Sequence, residues 1–344
     1  MPVSESGLVV AVTGPTGTFG FGLMPLLQAD PRIARVIGVA RRPFDPAAHG
    51  WHKMTYRRGD VRDRETLEDA FRGADVVVHL AFLITGTASR ATTRAINVDG
   101  SLNAARAAAA VGAERFVFAS SVAAYGFHPD NPVGMTEEWP VRPAARLFYA
   151  QEKAELEHLL ADQVGRHPGL DLFLLRPSIV LGPHTIGAKN TLPEPLAGLV
   201  SRAAGAVTRL PVRLPAPIPR LPLQFVHEDD VGQALLLCIV GAGPPGAYNL
   251  AGPGVLSATD VARELGLAPL PVPGAVARAP ARALAAVAGL RLVPPVVGWA
   301  EAVSHPAIMD TTKAERDLGW RPRYTGLEAL RATVHGEGAP PVTS

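Results

Sequence analysis

The sequence predicts an α/β protein: a doubly wound parallel sheet accompanied by a smaller, mainly C-terminal domain. Three observations carry this expectation. Compact apolar runs alternate with longer helical patterns through the first half of the chain, as when crossover helices join parallel strands. Runs such as VVVHL and FVFA are nearly continuously apolar, which suits central strands covered by helices on both faces. After Gly182 proline and glycine become frequent and the alternation lapses, which marks a change of architecture. A chain of 344 residues has room for a large core and a subordinate unit.

Taken in order, Leu8–Thr13 reads as the first strand and the stretch after Gly17 as the first helix. Residues 35–40 form a second strand, and another strand precedes Asp60. Residues 75–80 and Arg115–Ala119 follow as strands, with an alanine-rich helix over 93–111 between them. A helix over 148–164 leads into a strand over 170–175. The stretch LPVRLPAPIPRLPL is excluded from the centre of a sheet, because proline fixes φ and removes a backbone donor. QFVHEDDVGQALLLCIV restores a strand-to-helix pattern and AYNLAG reads as a short strand; both are expected to return to the main sheet. Residues 268–289 are expected to be a helical packing surface. The resulting division is a core over 1–181, an insertion over 182–222, a return to the core over 223–250, a substrate-binding region over 251–337 and a tail over 338–344.

Composition narrows the function classes. The 33 basic and 31 acidic residues leave a net charge of +2, and no basic stripe interleaved with aromatics argues for nucleic acid. The single Cys238 lies in ALLLCIV, where a buried thiol fits better than a nucleophile. One cysteine excludes an internal disulfide. The first apolar run leads straight into a glycine motif rather than a signal-peptide core, and no apolar stretch is long enough to span a bilayer. A cytoplasmic protein that does not engage membranes is the default expectation.

The glycine motif is Gly14-x-x-Gly17-x-x-Gly20, directly after the first strand and opening a helix. In this Rossmann-like context Gly14 makes the tight turn, Gly17 admits close approach of a cofactor, and Gly20 permits close packing of the helix. Backbone N–H groups at the helix start can then receive a pyrophosphate. The stretch lacks the Gly-Lys-Ser/Thr ending of a P-loop. The second strand ends in GVARRP, with no carboxylate to meet the ribose hydroxyls of NAD. Arg41 and Arg42 could instead meet the extra phosphate of NADP, so NAD(P) is the expected cofactor with NADP favoured. Asp60 could accept a hydrogen bond from adenine or serve as an exposed turn residue.

Tyr149 and Lys153 are four residues apart and share one helix face, and Ser121 follows the FVFA strand. A serine hydroxyl can orient a substrate oxygen, a tyrosine can exchange a proton with it, and a lysine charge can lower the tyrosine pKa. Lys153 could also hold the nicotinamide ribose. Each residue alone fits a bland role: Ser121 as a cap, Tyr149 as packing, Lys153 as an exposed charge. Together they suit hydride exchange at an alcohol or ketone.

The ordered motifs TGPTGTFG, GDVRD, VVHLA, NVDGSLNAARAA, FASSVAAYG, YAQEK, RPSIVLGP, QFVHEDDVGQAL, YNLAG and DLGW run through most of the chain. In them the sequence resembles the extended short-chain dehydrogenase/reductase superfamily, in its NAD(P)-dependent epimerase/dehydratase-like branch. The resemblance implies catalytic Ser121, Tyr149 and Lys153. It also implies a cofactor-lining set of Gly14, Thr16, Gly17, Thr18, Phe19, Gly20, Arg41, Arg42, Asp60, Val61, Leu80, Ala81, Asn97, Tyr149, Lys153 and Pro177. A homodimer through helices on the sheet surface is compatible with it. Val122 and Ala123 stand where the family's sugar-nucleotide dehydratases carry acids, which argues against water elimination. Arg176-Pro177-Ser178-Ile179 lacks the substrate-holding Asn of many sugar epimerases and is closer to reductases.

The expected function is therefore an NAD(P)-dependent oxidoreductase acting on a small or medium organic alcohol or ketone. The alternatives are a nucleotide-sugar epimerase, with Arg202, Arg209 and Arg213 as candidates to meet a substrate diphosphate, and a noncatalytic cofactor sensor. The apolar run 81–84 reads as a wall at the nicotinamide end or as simple packing. No metal is expected. The HEDD stretch over 227–230 reads as a strand-to-helix junction with Asp229 or Asp230 as N-cap, and His79 and His305 as structural or surface residues.

Overall fold

The computed structural model describes residues 7–84, 89–145, 147–187, 215–272 and 305–335. Its centre is an all-parallel sheet of seven strands. They are β1 (Leu8–Thr13), β2 (Ile33–Ala40), β3 (Met54–Arg58), β4 (Val76–His79), β5 (Arg115–Ala119), β6 (Asp171–Pro177) and, later in the chain, Gly246–Leu250. The order is β3-β2-β1-β4-β5-β6 followed by Gly246–Leu250. Strand order reverses between β1 and β4, so a crevice opens at their carboxyl ends, where ligands bind in this Rossmann-like architecture.

Helices cover both faces. Helix α1 (Thr18–Ala29) lies on one face; α2 (Arg64–Ala70), α4 (Gly100–Ala110) and α5 (Phe148–Gly165) lie on the other. Between them α3 (Arg90–Arg94) runs into a single π-helical turn, Ala95–Asp99, before α4 begins. The α1 core joins Leu23, Met24 and Leu27 to Val10, Val12, Val78 and Val117. The opposite core joins Ala104, Ala108, Leu156 and Leu160 to Ala11, Val77, Phe116 and Phe118. Each strand thus alternates its apolar side chains between two buried faces, which explains why the runs are continuously apolar.

Helix α6 (Pro183–Gly187) follows β7 (Ile179–Leu181), and α7 (Glu228–Ile239) packs beside α1. Gly22 and Gly232 make that contact close. A Cβ on Gly22 would lie 2.2 Å from the Glu228 carbonyl oxygen, and one on Gly232 would lie 2.2 Å from the Gly22 carbonyl oxygen. The expectation for QFVH is corrected here. Strand β9 (Pro222–His227) joins β7 and Val255–Ser257 in a separate three-stranded sheet, while AYNLAG does return to the main sheet beside β6. The main-sheet edge beside β6 is taken by Gly246–Leu250, and β9 finds its partner in the continuation of β6 past Ser178.

One other expectation changes. The proline-rich segment contains β8 (Pro215–Pro219), which lies outside the central sheet as expected and pairs in parallel with Ala268–Val272 in a peripheral two-stranded sheet. Ala268–Val272 is therefore strand rather than helix, since a neighbour was available to pair with it; 273–289 lies outside the described residues. Arg202, Arg209, Arg213 and the tail 338–344 also lie outside them. Among the described residues no helix is long and apolar enough to cross a membrane.

Candidate active site

The three glycines have distinct reasons. Gly14 has φ +69°, and a Cβ there would stand 2.9 Å from the Ala81 backbone across the crevice. A Cβ on Gly20 would lie 1.9 Å from the Pro15 carbonyl oxygen, so α1 can fold back on its own loop only with glycine there. Gly17 differs, because its backbone is extended (φ −91°, ψ 174°) and suits any residue. A Cβ on it would meet only Gly14 O, at 3.5 Å. Protein packing therefore does not demand glycine at 17, whereas a ligand approaching the backbone would. Gly17 also caps α1 without a side chain, and no acid occupies the first turn. That end is left polarised toward an anion, and the residues fit a dinucleotide pyrophosphate.

The other expected cofactor residues divide into two groups. Thr16, Thr18 and Phe19 are half-buried around the start of α1, Leu80 and Ala81 border the crevice, and Pro177 ends β6. Arg41 and Arg42 are exposed just past β2. Val61 is buried, and a Cβ on Gly100 would come 2.6 Å from it. Asp60 is held by Arg62, whose Nε and Nη2 donate to it at 3.0 and 2.7 Å. Those bonds, before any other influence, hold its carboxyl below the usual range. Asp60 is half-buried, and a carboxylate so bonded keeps further lone pairs for another donor.

Asn97 also belongs to the expected cofactor-lining set. It is fully buried, accepts from Leu83 N at 2.7 Å and donates to Leu83 O at 3.0 Å and to Glu152 at 2.8 Å. These bonds tie the side chain to the 81–84 loop and to α5. The π-helical turn that interrupts the helix expected over 93–111 is the turn that carries Asn97, and such bulges recur beside functional sites.

Ser121, Tyr149 and Lys153 do converge. Ser121 follows β5 and caps a short turn, accepting from Ala123 N at 3.1 Å. Its hydroxyl is hydrogen-bonded to that of Tyr149 in the first turn of α5, so the cap role and the site role coexist. Burial pushes the Tyr149 phenol up, and the Ser121 bond partly opposes it. Lys153 is buried one turn on, with Nζ donating to Ala119 O at 2.5 Å. It sits 3.6 Å above the Phe82 ring and 4.6 Å from that of Phe118.

Lys153 Nζ is 5.8 Å from the Tyr149 ring centroid. Burial depresses the lysine to about 7, only partly offset by Glu157 and Glu152. Phe82 packs on both residues: its ring caps Lys153 and meets Tyr149 edge-on at 5.6 Å.

The lysine makes a measurable prediction for the dinucleotide-free protein. Its folded pKa near 7 lies below its usual 10.5, so between these values the unfolded chain binds the extra proton. Stability should then rise with pH across this window, by up to about 1.4 kcal/mol per pH unit from this group. Denaturant unfolding at about pH 7.5 and about pH 9 should show this slope in the native protein and lose it in Lys153→Met. Parallel slopes would refute the depressed lysine.

Sequence reasoning missed the polar network behind the triad. Glu157, one turn beyond Lys153, accepts from Arg176 at 3.0 and 2.6 Å and from Ser120 Oγ at 2.5 Å. Arg176 Nη1 also donates to Tyr125 Oη at 2.6 Å, and Tyr125 donates to Asn249 at 2.8 Å. Burial acts against the guanidinium charge, but the Glu157 bonds and charge outweigh it and hold Arg176 protonated. The network ties α5, β5, β6 and Gly246–Leu250 together beneath the site. A signal was present: Tyr149, Lys153 and Glu157 are spaced by four, so they form one stripe on the sheet-facing side of α5.

The candidates set aside as metal ligands have other partners. His79 lies between Thr13 Oγ1 at 2.8 Å and Ser101 Oγ at 3.0 Å, and burial pushes it down to about 3. At the HEDD junction the N-cap is His227, not Asp229 or Asp230, with Nδ1 accepting from Asp229 N at 3.2 Å. Asp230 is unavailable because it accepts from Arg323 N at 2.9 Å and Tyr324 N at 3.1 Å. Among the described residues no three His, Cys, Asp or Glu side chains cluster as a metal site would require. Cys238 is fully buried.

Fold and site together define a Rossmann-like protein with a dinucleotide crevice and a Ser-Tyr-Lys constellation at its edge. The chain belongs to the NAD dependent epimerase/dehydratase family, which matches residues 10–251. It is 28% identical over 340 residues to the uncharacterized protein Rv0501 of Mycobacterium tuberculosis, covering 97% of this chain and 85% of that one. Sterol demethylase protein B of Methylococcus capsulatus is 32% identical over 178 residues, 51% of this chain and 52% of its own. Among solved structures, the UDP-glucose 4-epimerase of Thermus thermophilus in complex with NAD is similar at a TM-score of 0.67 and 28% identity, covering 95% of this chain and 98% of that one.

Proposed function

We propose that this protein is an NAD(P)-dependent oxidoreductase that reduces or oxidises a small or medium organic ketone or alcohol, with NADP favoured over NAD. The observation that carries the reading is the buried Ser121–Tyr149 hydroxyl pair beside Lys153, in surroundings without a second acid–base group on the turn after Ser121. Val122 and Ala123 fill that turn and are buried, so they cannot move protons for an elimination. Ile179, half-buried where many sugar epimerases carry a substrate-holding Asn, offers no hydrogen bond to a sugar. The match to sterol demethylase protein B supports a substrate built on an apolar carbon frame.

The bound nicotinamide supplies the hydride chemistry. Ser121 orients the reacting oxygen. Tyr149 gives that oxygen its proton during reduction or removes it during oxidation. Lys153, recharged when an anionic phenolate forms beside it, stabilises that state. A second reading, a nucleotide-sugar epimerase, is favoured by the 28% identity to a UDP-glucose 4-epimerase.

The experiment is to incubate the protein with NADPH or NADP and an alcohol/ketone panel, and separately with nucleotide sugars. Net cofactor oxidation or reduction supports the proposal. Stereochemical inversion of a nucleotide sugar without net cofactor turnover replaces it with the epimerase. Cofactor binding without either reaction leaves a noncatalytic sensor. In the same assay Arg41→Gln with Arg42→Gln should weaken NADPH about tenfold or more and NADH little, because each charge-assisted phosphate bond is worth about 1.5–3 kcal/mol. Equal weakening of both would reject the phosphate contact.

A further inference from the structure

We infer that Arg58 is a third specificity-determining guanidinium at the adenosine end of the cofactor site, reaching the extra phosphate of NADP from the neighbouring strand. This rests on the NADP reading above and assigns a residue it does not use. Strands β2 and β3 are parallel, with Val36, Gly38 and Ala40 opposite Met54, Tyr56 and Arg58. Arg58 therefore ends β3 directly beside Ala40, the end of β2, where an NAD-preferring site would place its carboxylate.

Strand alternation decides which face Arg58 takes. Met54 and Tyr56 pack with the α1-side core. A Cβ on Gly38 would lie 2.8 Å from Met54 Sδ and 3.2 Å from Pro15 Cγ, so this face looks onto the glycine loop. Arg58 shares it. Arg57 points the other way, where Nη1 meets Asp69 Oδ2 at 3.3 Å. The two adjacent arginines thus differ in partner.

Arg58 is also preorganised. Its Nε donates to the Arg41 carbonyl at 3.0 Å, and the Tyr56 hydroxyl donates to the Arg42 carbonyl. Strand β3 thereby pins the backbone of the arginine turn. Among the described residues Arg41, Arg42 and Arg58 have no salt bridge, whereas Arg57 and Arg62 pair with Asp69 and Asp60. Asp60 feels the Arg41 charge, but its oxygens are bonded to Arg62. Arginines on one turn and the adjoining strand end, with no carboxylate bonded to them, favour an anion beside them. A guanidinium with Nε engaged still presents its terminal N–H groups to phosphate oxygens.

The test measures NADPH and NADH affinities by fluorescence titration for the native protein, Arg58→Gln, Arg58→Lys and Arg57→Gln, each checked for an unchanged thermal melt. Arg58→Gln should weaken NADPH about tenfold and NADH less than about twofold, the loss of one charged phosphate contact. Arg58→Lys should restore part of the loss, because an ammonium keeps the charge but not the planar fork. Arg57→Gln should leave both affinities unchanged. Equal weakening of both cofactors by Arg58→Gln would reduce the residue to a brace for the turn and overturn the inference. So would an equal NADPH loss in Arg57→Gln, which would mean diffuse charge, or no loss in Arg58→Gln. A native protein that binds NADH as tightly as NADPH would instead defeat the cofactor reading itself.

Discussion

Tyr149→Phe is expected to lower the hydride-coupled reaction by roughly two to four powers of ten while dinucleotide binding survives. The substitution keeps the ring, which packs edge-on against Phe82 at 5.6 Å, and removes only the hydroxyl. What it removes is the proton donor and the partner of Ser121. Ser121→Ala should give a smaller loss, since its hydroxyl orients an oxygen but carries no net proton in the scheme. Burial holds the Tyr149 phenol protonated before the cofactor arrives, which is the correct state for reduction. Oxidation needs the phenolate, so it should demand higher pH than reduction on the same substrate pair. Single-turnover rates with saturating NADPH separate chemistry from binding. A Tyr149→Phe enzyme that retains more than about a tenth of the native single-turnover rate would remove the residue from proton transfer.

The legibility of the fold followed from burial. Strands covered on both faces must be apolar throughout, so β1 and β5 were bounded correctly by composition alone. Strand β9 carries the same kind of signal, yet it pairs with β7 in another sheet, because the signal reports burial and not the identity of a neighbour. Ala268–Val272 has an alanine and two prolines and reads poorly as strand, but a parallel partner in Pro215–Pro219 overrides that propensity.

In the site, the spacing of Tyr149 and Lys153 fixed their common face. It could not show that Phe82 would lie over the lysine, since that contact depends on the 81–84 loop. Asn97 was legible as a residue near the cofactor loop; only the hydrogen bonds to Leu83 reveal that it also holds that loop in shape. His227 as a cap was obscured by two better capping residues beside it, both of which the fold uses elsewhere.

Glu157→Ala should be the most destabilising of the substitutions considered, at about 3–5 kcal/mol. The reason lies in what remains behind. Arg176 and Glu157 side chains are 6% and 5% exposed and are joined at 2.6 Å, so neither charge can turn to water. Removing the carboxylate strands the guanidinium, leaves Ser120 Oγ without its acceptor and opens a space under α5. The loss should also reach the chemistry, because Glu157 is on the helix that carries Tyr149 and Lys153, and Ser120 precedes Ser121. Glu157 supports the Lys153 charge as well; without it burial should depress that lysine further. A double-mutant cycle with Arg176→Met separates these effects. If stranding the cation dominates, the double variant should be more stable than Glu157→Ala alone, while both remain impaired in turnover because Tyr125 and Ser120 have lost their partners. Unfolding free energies that add, with Glu157→Ala costing less than about 1 kcal/mol, would show that the pair is not coupled and that α5 is held in place by its apolar face alone.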